Sequence, residues 1–478
     1  MLSRLMIYTC LLSLAYAPPS FSRNIEKRLQ LFVDQQIIEK RENVELRLHP
    51  PQSAGTAIQF DQPWEGRYCG YATVIKDGDQ YALYYRGLPL AKSDGSDSEV
   101  TCRAISDDGI NWTKPDYGIF EINGSKQNNV ILAGMAPCSH NFSPFIDKRP
   151  GVAKSERCKA LAGTQKSGLI GFVSEDGIRW KKIREQPLIR EGAFDSQNVA
   201  FWSEIESLYV CYFRTWSQGE FKGFRTVSRT TSPDFIHWSD PVEMDFREPL
   251  QEHLYTNQTH PYFRAPNLYI SLAARFMPGR RVLSQEAFQK IGGEAQYSGD
   301  CSDAVLLTSR GGEQYDRTFR EAFIRPGLGI ENWSSRTNYP ACGIVPTGEG
   351  EMSLYVQRRY GQNAHYLERL ALRTDGFASV HAGFEEGELL TKPFRFQGER
   401  LLINYSTSAA GSIHIEIQDE NGESINGFSI EESTEIIGDM IERTVDWLPG
   451  DDVSALQGKT IRLRFIMKDA DLFSFRFE

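Results

Sequence analysis

Between Asp61 and Gly383 one pattern of three short strands recurs five times, and this repeat limits the fold more than any other feature of the chain. Each copy opens on polar residues, runs into a short apolar strand and turns. A second strand follows, often ending in arginine, and the third often ends in a Ser-x-Asp-Gly-x-x-Trp turn. The second strands align best: YALYYRG through Arg86, RCKALAGT through Thr164, LYVCYFRT through Arg214, LYISLAARF through Arg275 and MSLYVQRR through Arg358. They are rich in β-branched and aromatic residues and follow short turns such as Asp77-Gly78. The candidate inner strands are YCGYATVI, NFSPFI, SQNVAFW, THPYF and NYPACGIV. The third strands lead into turns ending at Trp112, Trp180 and Trp238; those of the last two units are degenerate. An Asp-Gly turn closes the hairpin and leaves its Trp to pack between units. Five such units predict an all-β, five-bladed β-propeller, whose inner strands surround one central pocket.

Alternating strand direction then predicts the residues of that pocket. The starts of the first strands and the ends of the second strands should ring one opening. The starts contribute Glu65, Arg67, His140, Asn141, Asp195, Gln197, Asn198, Asn257, Arg336 and Asn338. The ends contribute Arg86, Gln165, Arg214, Arg275 and Arg358. Glu252 and His253 lie just before the fourth inner strand, and Asp303 opens the third strand of that unit.

At 478 residues the chain is long enough for two folded units. After about Glu385 the repeat gives way to strand-like runs (LLINYST, SIHIEIQD, RTVDW, TIRLRFIMKD, LFSFRF) separated by turns, which predicts a C-terminal β-sandwich over 385–478. Residues 23–60 form a lead-in whose short strands, Leu31 to Val33 and Val44 to Leu48, close the ring or wrap its rim. Arg4 followed by the apolar stretch Leu5 to Ala17 reads as a secretory signal over 1–22, too short to span a bilayer. A secreted or periplasmic protein is expected, with no membrane attachment after cleavage. The net charge of −10 argues against a general nucleic-acid surface. The seven cysteines beyond the signal show no metal-ligand spacing and sit mostly in apolar strands, as small buried hydrophobes do. No cofactor motif or metal site is expected.

A five-bladed propeller with an appended β-sandwich resembles the fructan-cleaving glycoside hydrolases of family 32. The propeller alone also resembles the arabinan- and xylan-debranching family 43 and the mannoside phosphorylases. The resemblance rests on the repeated strand sets and Trp turns. It implies a polysaccharide or oligosaccharide substrate, with one carboxylate from the first blade (Asp61 or Glu65), an aspartate from a middle blade (Asp195) and a glutamate from a later one (Glu252). The family 32 Trp-Met-Asn-Asp-Pro-Asn-Gly signature is absent, so a fructose substrate is not implied.

Glycoside hydrolysis needs one carboxylic acid to protonate the leaving oxygen and a second carboxylate as base or nucleophile. Asp195, polar where an apolar strand should begin, is the expected base or nucleophile. Glu252, beside Leu254 and Tyr255, is the expected acid, its pKa raised by desolvation. Asp303 and Glu65 are further candidate catalytic carboxylates. Arg86, Arg214, Arg275 and Arg358 at equivalent places point to an acidic or sulfated glycan, because guanidinium matches those anions bidentately. Arg336, His140, Asn141, Gln197, Asn198, His253, Asn257 and Asn338 are expected to contact sugar. The same ring also fits a non-catalytic glycan-binding propeller, a sialidase-like enzyme, or a polysaccharide lyase using Tyr255 or His253 as base.

Overall fold

The computed structural model describes residues 23–219 and 221–478; the expected signal segment lies outside them. Five sheets form the blades of a β-propeller. Blade I comprises Gly70–Asp77, Gln80–Gly87, Val100–Ser106 and Val130–Leu132. Blade II comprises Ser143–Ile146, Cys158–Ala162, Ile170–Ser174 and Lys181–Lys182. Blade III comprises Val199–Ser203, Leu208–Trp216, Arg225–Ser232 and Val242–Glu243. In blade IV the inner edge is split into His253–Thr256 and His260–Tyr262, both pairing with Ala265–Pro278, which carries Asp300–Ser309 on its other side. Blade V comprises Val345–Gly348, Glu351–Arg358 and Tyr366–Arg373, and its outermost strand is Gln52–Gln59 from the lead-in. That strand, which the sequence pattern did not single out, closes the ring by joining the two ends of the repeat in one sheet.

The Trp turns do what their sequence requires. In the first three blades one aspartate oxygen accepts two successive backbone N–H groups: Asp108 from Ile110 (2.7 Å) and Asn111 (2.8 Å), Asp176 from Ile178 and Arg179, and Asp234 from Ile236 and His237. The bond from Asn111 contributes most to holding the Asp108 carboxyl well below its usual range. In the first two blades the adjacent Trp packs across the blade boundary. Trp112 meets Tyr355 of blade V edge-on at 5.9 Å, and Trp180 meets Tyr84 of blade I at 6.4 Å. The same tyrosines donate to the turn carbonyls of Gly109 and Gly177, so each boundary carries both apolar contact and a hydrogen bond.

The rest of the chain forms one ten-stranded sheet. Its long strands, Leu401–Asp419 and Ile461–Phe477, pair with each other over almost their whole length, with a register shift between Thr407 and Ser412. Ile413, Ile415 and Ile417 on one side of that shift and Leu401, Ile403 and Tyr405 on the other enter a single core, so the sheet doubles over itself. The lead-in strands Arg23–Glu26, Gln30–Leu31, Ile38–Glu42 and Val44–Leu48 belong to this sheet, as does Ala378–Ala382. Buried Asp34, in the lead-in, accepts from Arg310 of blade IV at 2.9 Å. Among the described residues the seven cysteines are all free, and six are buried. No described helix is long and apolar enough to cross a membrane.

Candidate functional site

The propeller axis has two unlike ends. Between them lies buried Gln197, whose amide donates to Thr73 Oγ1 (2.6 Å) in blade I and whose carbonyl accepts from Gln258 (2.8 Å) in blade IV. Gln258 in turn donates to the Pro340 carbonyl of blade V at 2.8 Å. These amides seal the axis. On one side is a cavity of about 430 Å³ lined by apolar residues from all five blades, among them Val74, Phe145, Phe201, Phe263 and Ile344. On the other is a basin of arginines, tyrosines and aspartates.

Tyr255 is the centre of that basin. It sits at a β-bulge: His253 and Leu254 pair in register with Phe276 and Arg275, and the register shifts before Thr256 pairs with Ala274. A bulge re-aims a side chain, and here it packs the Tyr255 ring against Tyr339 of blade V (5.1 Å) and Phe276 (5.5 Å). Three guanidinium groups lie near the ring face, at 4.8 Å for Arg214, 5.1 Å for Arg225 and 5.8 Å for Arg336. Burial alone would push the phenol up; Arg336, then Arg214 and Arg225, outweigh it and bring Tyr255 down to about 8. Burial and the neighbouring Arg214 push Arg225 below the usual guanidinium value.

Acids stand around this cluster. Asp195 faces the opening with 58% of its side chain exposed and pairs with buried Arg214. Asp94 pairs with Arg86 at 2.8 Å, and the Arg86 guanidinium stacks on Tyr71 at 4.7 Å. Asp300 is half-buried: Oδ2 accepts from Ser335 at 2.9 Å, while Oδ1 is buried with no hydrogen-bond partner among the described residues. Desolvation raises its pKa above the ordinary carboxylate value, although Arg336 and Arg225 lie near. The insertion between the last two strands of blade IV reaches across the rim. Arg67 donates to its Gly292 carbonyl at 2.8 Å, and its Tyr297 packs on Tyr68 and Tyr360 and under Arg336.

The backbone is strained at the same place. Tyr71 (φ 48°) and Arg336 (φ 55°) are left-handed, which non-glycine residues avoid and which is rarest for bulky ones. Arg336 is held by Gln357, whose amide donates to its carbonyl at 2.6 Å. Tyr71 lies under the Arg86 guanidinium and Arg336 over the Tyr255 ring, so both strained residues belong to the basin.

Of the residues expected in the ring, the structure brings Arg86, Asp195, Arg214, Arg336 and His253 to the basin. His253 accepts the Arg225 backbone N–H at 3.0 Å and packs on Trp216 and Phe276. His140 and Asn141 stand behind Arg86. Glu99 accepts from His140 at 2.8 Å, and Asn141 accepts from Arg86 at 3.1 Å. Gln197 is in the axial seal, and Asn198 is buried with its amide on the Ser196 carbonyl. Asn257 shapes the break in the blade IV inner edge by accepting from Thr259 N at 3.0 Å.

The other expected residues lie elsewhere. Glu65 is fully buried away from the axis, between Lys114 (2.8 Å) and the Tyr85 hydroxyl (2.6 Å). Arg275 is one residue from Phe276 and so leaves the opposite face of the strand. There it forms an ion-pair cluster with Asp303 (2.6 and 2.8 Å), Glu252 (3.6 Å) and Arg317, on the wall of a separate surface pocket. Asp303 is three residues from Asp300, and that odd spacing sends the two to opposite faces. Arg358 is buried against Glu368 and Asn338, and Asn338 also holds the Ser302 carbonyl at 2.7 Å. Glu252, Asp303, Arg275, Arg358, Asn338 and Glu65 are therefore engaged in ion pairs and hydrogen bonds outside the basin. The sequence reading did not select Arg225, Asp300, Tyr71, Tyr339 or Tyr360. Arg225 and Asp300 both open third strands, the signal that had picked Asp303. No cluster of three or more His, Cys, Asp or Glu side chains among the described residues is arranged to hold a metal ion.

The Glu65 placement carries a prediction. Lys114→Met should leave a buried carboxylate without its cation and cost about 3–5 kcal/mol, read as a fall in denaturant midpoint. Glu65→Gln should keep the turnover of the folded protein, since its carboxylate does not reach the basin.

No protein-family model matches the chain, and no curated protein matches it. Among solved structures it is similar to a protein described as a glycoside hydrolase, with a TM-score of 0.46 and 10% identity over 68% of this chain and 92% of that one. It is also similar to an N-acetylgalactosamine deacetylase from F. plautii in complex with blood group B trisaccharide (TM-score 0.44, 11% identity, 70% and 96% coverage). A third is a β-1,2-mannobiose phosphorylase from Listeria innocua (TM-score 0.42, 10% identity, 69% and 97% coverage).

Proposed function

We propose that this protein is a glycan-active enzyme, a glycoside hydrolase whose substrate carries an anionic sugar bound in the arginine-lined basin. One observation carries the reading: Arg214, Arg225 and Arg336 converge on a single tyrosine ring, and neither Arg225 nor Arg336 has an ion-paired carboxylate among the described residues. Like charges gathered in a partly buried site repel one another unless an anion joins them. The planar guanidinium fork suits carboxylate and sulfate. Tyrosine and phenylalanine faces beside them offer apolar surface to the sugar ring.

Asp300 supplies the proton donor. A carboxyl whose pKa burial raises holds its proton to higher pH than an ordinary carboxylic acid, and can protonate a leaving oxygen. Asp195, exposed to the opening and oriented by Arg214, takes the proton of the attacking water. Purified protein should be incubated with neutral, uronate-bearing and sulfated polysaccharides and the products weighed. Saturated fragments from an anionic glycan, lost in Asp195→Asn and reduced in Arg225→Met, are the expected result. Cleavage of a neutral glycan with Arg225→Met unaffected would sink the anionic-substrate reading, and binding without any product would make this a glycan-binding propeller.

A further inference from the structure

We infer that Tyr255 is the nucleophile of the basin, attacking the anomeric carbon as a phenolate; this rests on the hydrolase reading above. The geometry points to it in three ways. The bulge in the His253–Thr256 strand is what turns this residue onto the axis. Its ring is the point on which arginines from two blades converge, Arg214 and Arg225 from blade III and Arg336 from the segment leading into blade V. The carboxylate that would otherwise attack, Asp195, is already held in an ion pair by Arg214.

The groups packed around Tyr255 set its charge state together. Arg214 and Arg225 face it from blade III, Arg336 and Tyr339 from blade V, Tyr71 from blade I and Phe276 from its own blade. Asp195 stands one layer out, paired with Arg214, and Asp300 lies near Arg336 and Arg225 without an ion pair to either. Cations therefore dominate the first layer, consistent with the phenol lying near 8.

The displacement balances in two steps. First, the phenolate oxygen bonds to the anomeric carbon while the glycosidic carbon–oxygen bond breaks. Its electron pair stays on the leaving oxygen, which takes the proton of Asp300. Second, water attacks the same carbon and gives a proton to Asp195. The carbon–tyrosyl bond breaks, returning its electron pair to the phenolate; Asp195 then gives its proton to solvent and Asp300 takes one up, which resets the site. Two displacements retain the anomeric configuration.

Three readouts test this. Ultraviolet titration should show one tyrosine ionising well before the rest, absent in Tyr255→Phe and shifted upward in Arg336→Gln. A fluorinated dinitrophenyl glucuronide, whose ring fluorine slows release of the glycosyl-enzyme, should add its sugar mass to the Tyr255 peptide, and hydrolysis of the active glycan should retain configuration. Tyr255 ionising with the ordinary tyrosines would overturn the inference whatever the substrate. So would label on Asp195, inverted products, or hydrolysis of the active glycan that survives in Tyr255→Phe. An early-ionising Tyr255 with an unsaturated, ultraviolet-absorbing product would replace displacement by elimination. An early-ionising Tyr255 with no cleavage of any glycan would instead remove the hydrolase reading beneath it, and the nucleophile with it.

Discussion

Asp300→Asn is expected to lower kcat by about 10²–10⁴-fold, the usual loss when a positioned general acid is removed, while raising stability at neutral pH. The two effects have one cause. The carboxyl is partly desolvated, its Oδ1 has no hydrogen-bond partner among the described residues, and its pKa is raised. A carboxyl whose folded pKa exceeds its unfolded value binds its proton more tightly in the native state. Stability is then greatest below the unfolded value and falls as pH rises through the folded one. Asparagine keeps the shape and the bond from Ser335 but cannot ionise, so the variant should lose that fall. Activity of the wild type should decline on the alkaline side as Asp300 gives up its proton, and a weakly basic leaving group should restore much of the variant's rate because it needs no proton. Thermal melts across pH and rates with activated aryl glycosides read both. A variant that loses activity and also melts lower throughout would make Asp300 a structural acid held by Ser335.

How much of this was legible beforehand depends on which physical signal was used. Strand period, turn residues and the Trp turns read out the five blades, because each is local: Asp108, Asp176 and Asp234 make the same turn wherever they occur. Ring closure by Gln52–Gln59 was not legible, since that strand is short of β-branched and aromatic residues and takes its identity from a partner more than three hundred positions away. The basin was half legible. Arg86, Arg214, Asp195 and Arg336 followed from counting strand ends. The count failed where an odd spacing decides the face, as for Arg275 next to Phe276 and Asp303 three residues from Asp300. Equivalence in the repeat was the misleading signal: Arg358 and Arg275 align with Arg86 and Arg214, yet carboxylates within their own blades capture them. The bulge at Tyr255 has no sequence mark of its own.

The second large effect concerns how the basin's scaffold is held. Asp375→Ala should cost about 3–5 kcal/mol and loosen the ten-stranded sheet from blades IV and V. Asp375 is fully buried with left-handed backbone (φ 62°), at the turn after the third strand of blade V. Its carboxylate accepts from the Tyr262 hydroxyl (2.7 Å) and Arg264 (2.9 Å) of blade IV, and from Ser474 (2.9 Å) and Asn404 (3.3 Å) of the sheet's two long strands. Four donors from two units thus meet on one anion. Alanine strands the serine hydroxyl without an acceptor, leaves the tyrosine hydroxyl only the Met352 thioether at 3.5 Å, and leaves the asparagine amide only the Thr374 carbonyl at 2.8 Å. It leaves Arg264 with only the more exposed Glu442, and alanine tolerates the left-handed turn poorly. Asparagine should recover part of the loss, since it suits that conformation and keeps one accepting oxygen. Hydrogen exchange should then quicken first along Leu401–Asp419 and at the blade IV hairpin, before the Trp-turn boundaries between blades I and II. A uniform rise in exchange across all blades would mean that Asp375 supports the whole ring rather than its joint with the sheet. Because blades IV and V carry Tyr255, Asp300 and Arg336, a loosened joint should raise KM for the anionic glycan while single-turnover chemistry on bound substrate changes less.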